Sequence, residues 1–107
     1  MTPELKERID DLVKQHKIFV FIKGSQLTPK CRYSRNVIQI MNTLGVPYNT
    51  LDVMEDDEIR EGIKEYSNWP TVPQLYIDGQ FIGGSDIMSE LDQNGELQQM
   101  VKVALAS

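Results

Sequence analysis

Residues Lys17–Lys23 read KIFVFIK, five consecutive apolar residues held between two lysines. The run is far too short to span a membrane. An uninterrupted apolar stretch of this length, rich in Ile, Val and Phe, describes a strand covered on both faces, as in a parallel sheet layered between helices. Upstream, Thr2-Pro3 offers a hydroxyl N-cap followed by proline at the first helical position. Leu5, Ile9, Leu12 and Val13 then recur at helical spacing, with Glu, Lys and Asp on the opposite face. Downstream, GSQLTP (residues 24–29) reads as loop. Beyond Cys31, the residues Val37, Ile38, Met41 and Leu44 mark a second helical stripe, stopped by Gly45 with Pro47 following.

The second half supplies the partners of that strand. Residues 48–53 form a weaker strand candidate. DDEIREGIKEY (residues 56–66) carries acids in its first turn and bases later, in accord with the helix dipole, although Gly62 counts against a helix. SNWPTVP breaks the pattern. QLYIDGQFIGG (residues 74–84) then places two short apolar runs around Asp78-Gly79, a strong hairpin signal. Ser85-Asp86 reads as the cap of a helix running to Leu91, Asn94-Gly95 interrupts, and ELQQMVKVALA closes with a last helix. The β-α-β unit implies a parallel pair with a right-handed crossover, and the hairpin adds antiparallel strands. The expected fold is α/β: one domain over residues 1–107, with a mixed sheet of about four strands flanked by helices.

Composition narrows the function. A net charge of −5 argues against nucleic acid, which calls for a basic face. No membrane span or secretory segment is visible. A single cysteine cannot form an internal disulfide, so the expectation is a soluble protein of a reducing compartment, cytoplasmic or equivalent.

That cysteine lies in TPKCRYSR (residues 28–35), among three cations and with Ser34 where a C-x-x-C pair would place its second thiol. In sheets of this type, ligands gather at the carboxyl ends of parallel strands. Cys31 follows such an end at the start of the next helix. A helix N-terminus favours an anion by roughly 0.3–1 kcal/mol, less than one pKa unit. Lys23, Lys30 and Arg32 are therefore expected to help hold a reactive thiolate. His16 reads as a surface residue near a helix end, and one Cys with one His cannot build a structural zinc site. Glu55, Asp56, Asp57 and Glu58 read as a solvated helix start. Cys31 thus needs a thiol from outside the chain. Glutathione is the abundant candidate, either in a mixed disulfide or as co-ligand of a metal cluster.

FIKG, P-x-C-x-x-S and KEYSNWPTVPQLYIDGQFIGGSD together closely resemble the monothiol glutaredoxins, and the likeness covers nearly the whole chain. It implies a thioredoxin-like fold, glutathione binding, and assembly or transfer of a [2Fe-2S] cluster, with a role in redox homeostasis. By the same resemblance, Lys23 and Arg60 would bind the glycine carboxylate of glutathione. Val72, before a cis Pro73, would pair with the tripeptide backbone. Ser85 and Asp86 would open a helix whose free N–H groups hold the γ-glutamyl carboxylate, with the Asp86 carboxylate taking the amino group. Trp69 is expected mainly to pack, and Thr71 to shape its loop. A [2Fe-2S] centre takes four ligands: Cys31 from each copy of a homodimer, and two glutathiones. BolA-like proteins and apo iron–sulfur proteins are implied as partners.

The motif itself departs from the family, whose signature is C-G-F-S; here it is C-R-Y-S. Arg32 adds bulk and charge beside the cluster position, which would either obstruct the dimer or pair with a glutathione carboxylate. Tyr33 is shared with the C-P-Y-C motif of the dithiol glutaredoxins, primarily reductases. A glutathione-dependent oxidoreductase acting through Cys31 is therefore the alternative function.

Overall fold

The structure, a computed structural model, describes residues 1–107. Its elements follow the expected order: α1 (Pro3–Gln15), β1 (Ile18–Ile22), α2 (Arg32–Leu44), β2 (Asn49–Asp52), a 3-10 turn (Val53–Glu55), α3 (Asp57–Ser67), β3 (Gln74–Ile77), β4 (Gln80–Gly83), α4 (Ser85–Gln93) and α5 (Glu96–Ala106). The four strands form one sheet in the order β2-β1-β3-β4. β1 runs parallel to β2 and antiparallel to β3, and β3 runs antiparallel to β4.

Every residue of β1 is buried, and its side chains sort by chemistry across the sheet. Ile18, Val20 and Ile22 join Leu75, Ile77 and residues of α2, α4 and α5 in an aliphatic core. Phe19 and Phe21 point the other way, into a second core with Tyr76 and with Ile9, Val13, Ile59 and Ile63 of α1 and α3. There the rings of Phe19, Phe21 and Tyr76 meet edge to face, with centroids 5.0 and 5.7 Å apart. Each fully buried side chain of this size contributes roughly 1.5–3 kcal/mol. The five apolar residues of the opening stretch therefore hold both layers at once.

Local signals account for the element ends. Thr2 caps α1 by accepting from the Leu5 N–H at 3.1 Å. Gly45 ends α2 in the left-handed conformation. Asp78 and Gly79 both have positive φ, 52° and 78°, as a two-residue turn of the I′ type requires. Asp56 lies just outside α3 and caps it through the Ile59 N–H, while also pairing with Arg8. Gly62 sits inside α3 because α1 passes close by: a Cβ there would stand 2.9 Å from Leu5 Cδ2.

Two expectations are corrected. The second strand stops at Asp52, whose carboxylate accepts from the Met54 N–H and turns the chain into the 3-10 segment, so Val53 lies outside the strand. Ser85 is the first residue of α4 and not its cap; Gly84 holds the cap position and no side chain caps this end. His16 is the C-cap of α1, at the helix end where the sequence placed it, half-buried and stacked on Phe19 at 5.7 Å with Nδ1 3.0 Å from Asn49 Nδ2. No helix is long and apolar enough to cross a membrane.

Candidate functional site

β1 delivers Lys23 to the end of the sheet, and the chain then loops back on itself before entering α2. Within the loop the Lys30 N–H donates to the Lys23 carbonyl at 2.8 Å, and the Ser25 N–H donates to the Thr28 carbonyl. Gly24 has φ +93°, and a Cβ on it would come 2.5 Å from the Thr28 carbonyl oxygen, so only glycine serves here. The Gly24 N–H is tied to the Asp52 carboxylate at 2.9 Å, which fixes the loop against β2. The outcome is Cys31 at the N-cap of α2, half-buried and in extended conformation, making no side-chain cap hydrogen bond.

The thiol is held below its ordinary pKa. Burial pushes it up, but the backbone N–H groups of Ser34 and Tyr33, the Ser34 hydroxyl and the Lys23 charge together outweigh that. Of the three cations expected to help, Lys23 is the one among the leading causes. Ser34 is completely buried and its hydroxyl also accepts from the Lys23 N–H at 3.0 Å. In the position of a second thiol, the chain has thus placed a hydroxyl that joins strand, loop and thiol. Alkylation of Cys31 by iodoacetamide is accordingly expected to rise with pH around a midpoint below that of a free cysteine. Ser34→Ala should move the midpoint upward, and a profile indistinguishable from free cysteine would contradict the assignment.

Cys31 opens onto a cleft of about 450 Å³. All seven residues assigned from the sequence line it: Lys23, Cys31, Arg60, Val72, Pro73, Ser85 and Asp86. The Val72–Pro73 bond is cis. The cleft also takes in Trp69 and Thr71, so Trp69 lines the cavity as well as packing on Phe81 at 5.7 Å. Lys64, one turn beyond Arg60 on α3, stands in the wall too; its i, i+4 relation to Arg60 was the available signal. The lining therefore combines the cations Lys23, Arg60 and Lys64 with the N-terminus of α4, whose free N–H groups suit an anion.

Two supporting residues escaped the sequence reading. Gln74 is completely buried; its Nε2 donates to the carbonyls of Trp69 and Thr71 at 3.2 and 3.1 Å, and its Oε1 accepts from the Tyr76 hydroxyl at 3.0 Å. It fastens the Trp69–Pro73 wall to the sheet. Asn36 on α2 donates through Nδ2 to the hydroxyls of Ser85 and Ser89, at 2.9 and 2.8 Å, and so ties α4 to the helix of Cys31. Arg32 does not line the cleft. Its guanidinium donates to the Tyr33 hydroxyl at 2.8 Å and lies over that ring at 4.8 Å, leaving Tyr33 as the motif side chain at the cavity. No group of three His, Cys, Asp or Glu side chains stands close enough to hold a metal ion within one chain.

Comparison with known proteins agrees with this architecture. The family model for glutaredoxin matches residues 18–82. A monothiol glutaredoxin of the ycf64-like type from Synechocystis is 64% identical over the full length of both chains. A chloroplastic monothiol glutaredoxin, S7 from rice, is 46% identical over all 107 residues, which span 64% of that longer protein. A buckwheat glutaredoxin solved in complex with glutathione superimposes with a TM-score of 0.82 at 26% identity, covering 97% of this chain and 96% of that one. The fold is thioredoxin-like. With one cysteine in the whole chain, this protein belongs to the glutaredoxin family and is of the monothiol type.

Proposed function

We propose that this chain binds glutathione along the cleft and, as a homodimer, carries a [2Fe-2S] cluster as cargo for delivery to apo iron–sulfur proteins. The carrying observation is the lone Cys31, with a lowered pKa, in a cleft lined by cations and by a helix N-terminus. Lys23 and Arg60, joined by Lys64, would take the glycine carboxylate. The Val72 backbone would pair with the tripeptide, with Pro73 shaping the turn. The N–H groups of Ser85 and Asp86 would take the γ-glutamyl carboxylate, and the Asp86 carboxylate the amino group. Asn36 occupies the Ser85 hydroxyl, which leaves the Ser85 N–H to serve the ligand.

The ligand count follows from the donor set. One thiolate per chain supplies half of a four-ligand site in a homodimer, and two glutathione thiolates complete it. A buried Ser34 offers no second thiol, so no internal disulfide can remove Cys31 from service. BolA-like proteins and apo iron–sulfur proteins are the proposed partners, and redox homeostasis the wider role. The domain is taken as residues 1–107. A reducing compartment suits a free thiolate; the rice relative is chloroplastic, so the cytoplasm is one proposed setting among such compartments.

The motif C-R-Y-S favours a second reading, since Tyr33 rather than a smaller surface faces the cleft. Here the Cys31 thiolate attacks the glutathione sulfur of a protein mixed disulfide, forming Cys31–S–S–glutathione and releasing the protein thiolate. A second glutathione thiolate then regenerates Cys31 and leaves as oxidised glutathione. Anaerobic reconstitution with iron, sulfide and glutathione separates the two. Visible absorption that requires glutathione and elutes with dimer supports the carrier. Colourless monomer that turns over a glutathione mixed disulfide supports the oxidoreductase.

A further inference from the structure

The cations of this chain are divided by position. Lys6, Arg8, Lys14, Lys17 and Lys64 each lie within salt-bridge distance of a carboxylate. Six others have no carboxylate in reach, and all but Lys102 belong to the Cys31 face: Lys23, Lys30, Arg32, Arg35 and Arg60. The protein as a whole carries −5, so this segregation runs against its average charge. Lys23 and Arg60 line the cleft and have the glycine carboxylate of glutathione to meet. Lys30, Arg32 and Arg35 do not line it, are exposed, and have no anion left over from the tripeptide.

These three lie next to the thiol along the chain. Lys30 and Arg32 flank it in sequence, and Arg35 follows one helical turn on, its N–H donating to the Cys31 carbonyl at 2.9 Å. Beside them Leu27, 96% exposed, stands in the loop that the Gly24–Pro29 bridge closes. An apolar tip among unpaired cations suits a protein surface with acidic groups around an apolar spot. It suits a second copy of this chain poorly, because two such faces meeting Cys31 to Cys31 oppose like charge to like. Nucleic acid is the weaker occupant for a chain of −5 with three free cations outside its cleft.

We infer that Lys30, Arg32, Arg35 and Leu27 form a docking rim for proteins that present acidic residues around a cysteine. The inference rests on the reading that Cys31 exchanges cargo or thiols with other proteins, and it specifies which ones. It also gives the homodimer a reason to open, since an acidic partner replaces repulsion with attraction.

The test needs neither glutathione nor a cluster. Synthetic peptides carry one cysteine as its mixed disulfide with thionitrobenzoate, flanked by glutamates, by lysines or by glycines. The Cys31 thiolate attacks the peptide sulfur, forming the Cys31–peptide disulfide and expelling the coloured thionitrobenzoate. At low salt the glutamate peptide should react about tenfold faster than the lysine peptide, and the two should converge at about 0.5 M salt. The combined Lys30→Glu, Arg32→Glu, Arg35→Glu variant should invert the order, whereas Lys102→Glu, at the remote unpaired cation, should preserve it. Comparing peptides within one variant cancels any change in thiol reactivity. Equal rates at low salt, or an order unchanged in the triple variant, overturn the rim. Suppression of the glutamate peptide's advantage by a stoichiometric DNA oligonucleotide would assign the rim to nucleic acid instead. An unreactive glycine peptide would strike at the thiolate reading itself, not at the rim.

Discussion

The Cys31→Ser variant is expected to lose cluster assembly and glutathione exchange together, while folding at least as well as the parent chain. Loss of function follows from the inventory: the chain has no other thiol and no second group of metal ligands. Gain of stability follows from the backbone. Cys31 occupies the N-cap of α2 in extended conformation with no side-chain cap hydrogen bond. A serine hydroxyl at that position accepts from the helix N–H groups that otherwise lower the thiol pKa, and such a cap is worth about 1 kcal/mol. For a domain of this size that corresponds to a rise in Tm of about 5 °C. Calorimetry with cluster absorbance checks both halves. A retained cluster would contradict the role of Cys31. A large fall in Tm would contradict its placement as an uncapped helix start.

Gln74→Leu is expected to have the largest effect on stability. The side chain is fully buried and makes three hydrogen bonds: to the carbonyls of Trp69 and Thr71, and from the Tyr76 hydroxyl. Burial pushes the Tyr76 phenol up to about 12, so it remains a protonated donor throughout the ordinary pH range. Leucine fills similar space but leaves all three groups without their partner. The cost is on the order of 3 kcal/mol, or about 15 °C in Tm. Because those carbonyls belong to the Trp69–Pro73 wall, glutathione affinity should fall by about tenfold as the wall loses its preorganisation. The only tryptophan, Trp69, reports the loosening directly through a red shift of its emission. Unchanged Tm and affinity would show that Gln74 does not fasten the wall.

Residues that act within one element were readable in the sequence. The β1 run announced a strand buried on both faces, Asp78-Gly79 announced the turn, and Thr2-Pro3 announced a helix start. Residues that act between elements were not. Ser85-Asp86 has the look of a cap, yet Ser85 is already helical and its hydroxyl receives Asn36, 49 positions earlier. Gly62 weakens a helix by propensity but keeps a side chain off Leu5 and Ile9 of α1, a contact that the pattern of α3 alone does not disclose. Gln74 reads as one polar residue at a strand start until the strand, the wall and Tyr76 are in place. The site residues themselves became legible only through their resemblance to a family. Spacing alone located the thiol but not the cleft.

Arg32 and Tyr33, where the motif departs from its family, act as a pair. The guanidinium lies on the phenol of Tyr33, which lines the cleft, while Arg32 itself is not part of the lining.

Native mass spectrometry of the anaerobically reconstituted protein tests the central claim most directly. The account predicts a species containing two chains, two glutathiones, two irons and two sulfides, absent when glutathione is withheld or when Cys31→Ser is used. A cluster-bearing monomer, or a cluster-bearing dimer without glutathione, would contradict it.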